Sequence, residues 1–478
     1  MFRLGPFLFQ ATALCATLVA EANVLDANHQ HRLDALATSL HLQAPYEDLK
    51  EEARNQFLST VELFGYKVDS SYMKHQLEVA VEELAFGFLQ QAVNGDPASP
   101  KVYRVIAPPR YDHQIGITVP GGRFGFDNPD CVYRIMPVSD AYSYVVHGKR
   151  TGVGASDITL SLHNSITSKT LGLVVGKDIV VDNHGHFTIT VNSSAAALPT
   201  HLQSTSDTKL LLIRHNVGDW LVESLDELEV ELIRRGVFAA EAISNDTIVS
   251  TARSSLRQNI PVANFLLGKL TLSMPVNAMA QPSQSAGMGL ATQALVLSHY
   301  SLRQTEAMVL TVEAGPSTYW NLGVYSLWMV TENPRDRLVT LNNHQAIANN
   351  NGSYTFVLSA TDPDIHNWLN TSEQGVGTIV ARFQGLPLGG SALNHIRIWT
   401  HLSNLEDLHM ILPSDVLYVS PQQRASQMAA RARGYDRLYS FNSPYVPYAG
   451  SLQCKAVSES ALPTLWMAGG PYCQSAVQ

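Results

Sequence analysis

Met308-Val309-Leu310-Thr311-Val312-Glu313 alternates apolar and polar side chains with a period of two, and three more segments follow in the same idiom. They are Tyr319-Trp320-Asn321-Leu322-Gly323-Val324-Tyr325, Ser353-Tyr354-Thr355-Phe356-Val357-Leu358 and Gly377-Thr378-Ile379-Val380-Ala381-Arg382-Phe383. Each is rich in β-branched and aromatic residues and is set off by turn formers, the pattern of short β-strands. The four are expected to pair as one antiparallel sheet with an apolar face. Polar groups recur near the strand ends, at Glu313, Asn333, Asn367 and Arg382. In the last strand, alternation puts Ile379, Ala381 and Phe383 on the core side and Thr378, Val380 and Arg382 on the other. Arg382 therefore faces solvent or a cleft, and is expected in a cleft, holding Glu313 or a ligand anion.

The stretch from Val102 to Arg214 has the same short period. Ile158-Thr159-Leu160-Ser161-Leu162, Phe187-Thr188-Ile189-Thr190-Val191 and Lys209-Leu210-Leu211-Leu212-Ile213-Arg214 read as strands dense enough for a β-sandwich or jelly roll. The Gly-rich loop Gly121-Gly122-Arg123-Phe124-Gly125-Phe126 is not a nucleotide fingerprint, because no strand–helix unit of the required spacing follows it. Residues 23–100 instead repeat apolar side chains every three or four positions, which predicts amphipathic helices ending at the breakers Gly95-Asp96-Pro97. Asp219 is a candidate N-cap for a further helix with Leu221, Leu225, Leu228 and Leu232 on its apolar face. Residues 281–289 read as a flexible connector, or as a lid over a cleft.

The fold class expected is therefore mainly β with helical additions (α+β), with two β-sandwich or jelly-roll-like regions packed by helices. The division is a signal segment at 1–22, a helical region at 23–100 and a first β-region at 101–216. A helical connection with a flexible loop follows at 217–293, then a second β-region at 294–402 and a C-terminal tail at 403–478.

The full chain has 478 residues, 45% apolar and 15% charged, which are globular proportions. A net charge of −9 and the lack of a Lys/Arg stripe argue against nucleic-acid binding. Arg3 leads an apolar run from Leu4 to Ala20 closed by Ala20-Glu21-Ala22, which predicts a secretory signal peptide. That run is short for a bilayer span and no later run is long enough, so no transmembrane helix is expected. Asn192, Asn245, Asn351 and Asn370 begin N-glycosylation sequons, in keeping with an extracellular, secreted chain. Of the cysteines left after the signal, Cys454 and Cys473 flank one segment of the tail and are the expected disulfide, leaving Cys131 as a small buried thiol. His184 and His186 read as turn residues. No metal and no cofactor is implied, and oligomeric state cannot be read from the chain.

Residues 121–134 with Trp220 resemble the domain of unknown function 1254. Residues 306–384, with Trp320, Asn333-Pro334, Asp362-Pro363 and Asn367-Trp368-Leu369, resemble the domain of unknown function 1214. The resemblance implies β-sandwich architecture with helical additions and no established reaction. Where such proteins show Asn-Trp-Leu-Asp-Thr, this chain has Asn370 in place of the acid.

Asp127-Asn128-Pro129-Asp130 has the chemistry of an Asx turn, or of a cleft in which Asp127 or Asp130 works with Arg134. Tyr319, Trp320 and Trp328 suit core packing, or stacking against a flat ligand; Trp368 belongs with the polar Asn367 as a further contact candidate. His215 is the histidine with the best claim to acid–base work. The function these residues suggest is binding of a carbohydrate or small organic ligand in a cleft between β-regions. The other reading is a metal-independent lyase or hydrolase acting on a carbohydrate or secondary metabolite.

Overall fold

The computed structural model describes residues 28–43, 46–195, 198–233, 242–284, 290–372, 375–388 and 391–439, with two short paired strands in the tail. The segment expected to be a signal peptide lies outside the described residues, as do positions 285–289 of the expected connector.

Three helices open the described chain: α1 (Asn28–Gln43), α2 (Glu47–Leu63) and α3 (Ser71–Val93). In α2 the buried residues Leu49, Ala53, Phe57 and Val61 recur every four positions, so they line one face. Ser70 caps α3 by accepting a hydrogen bond from the Met73 amide.

The chain then forms β1 (Tyr103–Val105), the hairpin β2 (Arg110–Asp112) and β3 (Ile117–Val119), then β4 (Cys131–Pro137), β5 (Ser143–Lys149), β6 (Asp157–His163) and β7 (Gly172–Val175). β8 (His186–Asn192), β9 (His201–Gln203), β10 (Leu210–Asn216) and β11 (Glu227–Ile233) complete the first set. The helix α4 (Asn245–Phe265), capped by Ser244, continues into a π-helical turn over Leu266–Leu272.

The second set is β12 (Ser283–Gln284), β13 (Ala294–Ser301), β14 (Glu306–Ala314), β15 (Tyr319–Tyr325) and β16 (Thr340–Asn342), then β17 (Tyr354–Ser359), β18 (Trp368–Asn370), β19 (Val376–Gln384) and β20 (Ile396–Asn404). The short α5 (Leu408–Ile411) and the long α6 (Pro421–Tyr439) follow.

The strands build two sandwiches of identical topology. In the first, a five-stranded sheet β1-β4-β10-β6-β7 faces a four-stranded sheet β11-β5-β8-β9. In the second, β12-β13-β19-β15-β16 faces β18-β17-β14-β20. Taken in chain order, β4 to β11 and β13 to β20 occupy the same places one for one, and in each set the sixth strand pairs parallel with the fifth. The fold is thus α+β, with each sandwich enclosing its own apolar core. Phe356, fully buried in the second core, is the kind of side chain whose truncation to Ala costs about 3–5 kcal/mol. A third core forms where the helices lie over the two five-stranded sheets, and it collects Leu84 and Phe88 of α3, Ile260 of α4, Ile135 of β4, Leu212 of β10 and Val380 of β19.

Two expectations are corrected. The four strands from Met308 to Phe383 do not share a sheet: β14 and β17 pair with each other, while β15 and β19 pair in the opposite sheet. The helix expected from Asp219 is a turn followed by a strand. Asp219 accepts from the Leu221 amide, and Glu227–Ile233 pairs antiparallel with β5. Leu228, Val230 and Leu232 also satisfy a period of two, and the open edge of β5 decided between the periods. The first sandwich therefore runs past Asn216 to Ile233, and the expected connector contributes β12 to the edge of the second sandwich. No described helix is long and apolar enough to cross a membrane.

Candidate functional site

Where α3 and α4 bridge the two five-stranded sheets, packing leaves a cavity of about 200 Å3. Its apolar wall includes Leu84, Phe88, Ile166, Leu212, Leu266, Leu295, Leu297 and Val380. Its polar wall is Asp127, Tyr133, Thr167, Arg214, Asn259, Gln293, Arg382 and Gln384. Strand alternation explains the composition. Ile379, Ala381 and Phe383 face the second sandwich core, so Val380, Arg382 and Gln384 point outward into the gap between sandwiches. In β10, Leu211 and Ile213 face the first core, so Leu212 and Arg214 point into the same gap.

The Gly-rich loop closes one side. It is glycine because it lies directly on α3: a Cβ on Gly121 would stand 2.2 Å from Glu83 Oε2, and one on Gly122 would stand 2.5 Å from Gln90 Oε1. Arg123 anchors the loop, donating from Nε to Glu83 Oε2 at 2.8 Å and from Nη1 to the Thr331 carbonyl at 2.9 Å. Phe126 adopts a left-handed backbone conformation (φ 68°), an unfavourable state for a bulky residue. Two bonds brace it: its amide donates to the Met329 carbonyl at 2.9 Å, and its carbonyl accepts from Arg382 Nη2. Arg382 also donates from Nη1 to the Tyr325 hydroxyl at 2.6 Å. Asp127 accepts from the amide and hydroxyl of Thr331.

Arg382 thus lines a cleft, but Glu313 is not its partner there. Glu313 is exposed at the end of β14 in the other sheet, opposite Arg397 of β20.

The remaining candidates are buried in separate places. Asp130 is a hub between sandwiches, accepting from Trp220 Nε1 at 2.8 Å, the Tyr319 hydroxyl at 2.6 Å and Asn321 Nδ2 at 3.0 Å. Burial raises its carboxyl above the usual range, and the Tyr319 and Asn321 donors oppose that. The Asx turn is real: Asn128 Oδ1 accepts from the Asp130 amide at 3.1 Å.

Arg134 does not work with Asp130. It points into the end of the first sandwich and donates from Nη1 to the Asp226 carbonyl at 2.8 Å. His215 lies in the same cluster, its Nε2 3.4 Å from Asp226 Oδ2. Burial lowers the His215 pKa, so the ring is poorly placed to take up a proton. Burial acts against the Asp226 charge, yet the His215 and Arg150 contacts hold its pKa at about 2.

Trp320 packs inside the second core against Tyr354 and Phe356, and Trp328 donates to the Met73 carbonyl, so neither offers a stacking face. Trp368 donates to the Ser359 carbonyl and carries the Arg424 guanidinium over its ring. Asn367 clips two backbone segments, bonding Ile347 and Thr355. Cys131 is a buried free thiol, pushed up to about 12 by burial.

A second pocket of about 370 Å3 lies along the same interface, lined among others by Arg150, Ser156, Asp157, Lys177 and Leu388. Beside it Ser156 donates to Glu223 Oε1 at 2.6 Å and sits 3.0 Å from His344 Nε2. The carboxylate lies 3.6 Å from that same Nε2, so it does not orient the ring from the far nitrogen as a nucleophile–base relay requires. Among the described residues no group of three or more His, Cys, Asp or Glu is arranged to hold a metal ion.

Sequence reasoning passed over Arg214, Tyr133, Asn216 and Gln384. A signal was there: Ile213-Arg214-His215-Asn216 and Ala381-Arg382-Phe383-Gln384 share an apolar–Arg–ring–amide order, and these segments hold equivalent places in the two sandwiches.

Residues 298–386 match the model of a family described as a protein of unknown function, DUF1214. A crystal structure of an uncharacterised protein from Burkholderia cenocepacia is similar, with a TM-score of 0.62 and 21% identity over 79% of this chain and 100% of that one. That likeness is one of fold. A solved protein from Vibrio parahaemolyticus aligns with a TM-score of 0.35 and 11% identity over 58% of this chain and 90% of that one. No curated protein matches.

Proposed function

We propose that the protein binds a small organic molecule in the cavity between its two sandwiches, beneath α3 and α4. The supporting observation is the cavity itself: apolar over most of its wall, with a few polar groups gathered on one side and placed where two domains meet. Its volume of about 200 Å3 exceeds the roughly 150 Å3 that accommodates benzene in an apolar core. The apolar lining suits a compact organic molecule better than a carbohydrate, whose hydroxyls each need a partner on burial. Asp127, the carboxylate of the lining, is already engaged by Thr331, which favours holding a ligand over transforming one.

We further infer a secreted glycoprotein, on the strength of the N-terminal apolar run and the four sequons, of which Asn245 and Asn351 are exposed. The likeness of residues 121–134 to the domain of unknown function 1254 supports a pairing of two related modules.

The test is isothermal titration calorimetry with the uncharged single-ring probe benzyl alcohol. Saturable heat is expected, and it should vanish in Leu297→Trp, which fills the cavity, provided circular dichroism shows that variant folded. No saturable binding, or unchanged binding in a folded Leu297→Trp, would overturn the reading.

A further inference from the structure

Arg214 and Arg382 occupy matching positions in the duplicated topology, each two residues before the amide that ends its strand. The two amides meet, Asn216 Nδ2 donating to Gln384 Oε1, so the arginines enter the cavity from opposite sandwiches beside that joint. Both are more than nine-tenths buried. Arginine keeps its charge in proteins, and an unpaired buried charge is strongly unfavourable.

Among the described residues neither has a carboxylate within ion-pair distance. Arg214 donates from Nη1 to the Ser161 hydroxyl at 3.1 Å, and Arg382 donates to Tyr325 and to the Phe126 carbonyl. Asp157, near Arg214, accepts instead from Asn216 Nδ2 at 2.9 Å. Both guanidiniums act electrostatically on the Tyr133 hydroxyl, which lies directly across the strand pair from Arg214. Two like charges thus converge on one desolvated space, whose single lining carboxylate, Asp127, is engaged by Thr331.

We propose that the ligand is an anion, a small monocarboxylate whose carboxylate sits between Arg214 and Arg382, beside Tyr133, and whose apolar body lies against Leu212, Leu295, Leu297 and Val380. This rests on the cavity-binding reading above and names its ligand class. The room available suits a single aromatic ring or a chain of roughly six to eight carbons, by comparison with the benzene-sized cavity. The duplication supplies the clamp: one arginine from each copy of the same strand, a geometry suited to paired N–H donors on carboxylate oxygens.

The experiment titrates the full chain by isothermal calorimetry with octanoate and with octan-1-ol, and with benzoate and benzyl alcohol. Octanoate and benzoate should bind at roughly tenfold or more lower concentration than the matching alcohols, the scale of a charge-assisted hydrogen bond. In Arg214→Gln that preference should shrink to within about twofold. Arg382→Lys keeps the charge without the fork and should retain part of the preference. Equal binding of acid and alcohol by the native protein would overturn the anion assignment and leave the cavity reading standing. So would an acid preference undiminished in both variants. Binding of none of the four would remove both readings.

Discussion

Asn216 donates to Gln384 across the interface between the two sandwiches, and the two residues end corresponding strands. The bond closes the pseudo-symmetric joint on which the cavity is built. Asn216 also holds Asp157 Oδ2 at 2.9 Å, and burial raises the Asp157 carboxyl, an effect the Asn216 bond and Arg214 oppose. Asn216→Ala leaves both acceptors buried without that donor, at a cost of about 1–3 kcal/mol. The measurement is urea unfolding followed by tryptophan fluorescence. An unchanged midpoint would show that the amide pair does not hold the sandwiches together.

Arg382 and Glu313 should behave independently. Arg382→Ala removes the donors to Tyr325 and to the strained Phe126 carbonyl and should cost about 2–4 kcal/mol. Glu313→Gln, at an exposed strand end, should stay within about 0.5 kcal/mol. The double variant should equal the sum, since the residues lie in different sheets. A melting-temperature cycle with marked coupling would restore the direct pairing that the structure separates.

What the sequence made legible here was the face, and what it hid was the partner. Alternation in Thr378–Phe383 is local, so Arg382 could be assigned to the side away from Ile379, Ala381 and Phe383. Which strand lies beside it depends on a non-local choice. β14 crosses to the opposite sheet and carries Glu313 away, and nothing in Met308–Glu313 encodes that crossing. The duplication was equally hard to read, because topology repeats while side chains diverge. Leu295 of one half stands opposite Arg382 where Tyr133 of the other stands opposite Arg214. Around Leu228 the leucines fitted two periods at once, and pairing with β5 settled the matter.

Cys131 should be chemically silent in the folded protein. It is buried and its thiol is pushed up to about 12, so almost no thiolate forms at neutral pH. Dithiobis(nitrobenzoic acid) should react with one thiol only after denaturation. Non-reduced peptide mapping should pair Cys454 with Cys473, which stand opposite each other in the tail ladder, at a backbone separation compatible with a disulfide. A fast-reacting native thiol, or Cys131 bonded to either tail cysteine, would contradict this arrangement.

Acid should weaken the fold well before its carboxylates titrate. Burial pulls His163 down from its ordinary 6.5 to about 4. The unfolded chain therefore binds a proton between those values that the folded chain refuses. The associated stability is complete above pH 6.5 and is lost as pH falls through 4, an amount of about 3 kcal/mol. Burial lowers His215, His299 and His366 as well, so their contributions have the same sign. The melting temperature should fall steadily from pH 7 to pH 4.5, and less steeply in His163→Asn. A flat profile over that range, or equal slopes, would mean that the rings are solvated.

Asp130 was a candidate ligand contact and is instead the polar pin between the modules, which makes its replacement diagnostic. Its carboxylate has donors on both oxygens: Trp220 on Oδ1, and Tyr319 with Asn321 on Oδ2. Asp130→Asn preserves shape but turns one oxygen into an NH2 group. On the Oδ1 side that group faces the donor-only Trp220 Nε1; on the Oδ2 side it faces Asn321 Nδ2 and forces the Tyr319 hydroxyl to turn from donor to acceptor. A donor facing a donor in a fully buried site forfeits the bond and the desolvation of both partners, about 2–4 kcal/mol in all. Because Tyr319 and Asn321 belong to β15 and Asp130 precedes β4, the loss falls on the interface rather than on either core. Unfolding of Asp130→Asn should therefore broaden or split, with fluorescence and near-ultraviolet circular dichroism no longer coincident. Asp130→Ala, which removes the acceptor without adding a donor, should be destabilised as well, by no more than about 1 kcal/mol beyond the Asn variant. If Asp130→Asn unfolds in one step at the native midpoint, the residue is not a structural pin, and its place in ligand binding must be reopened.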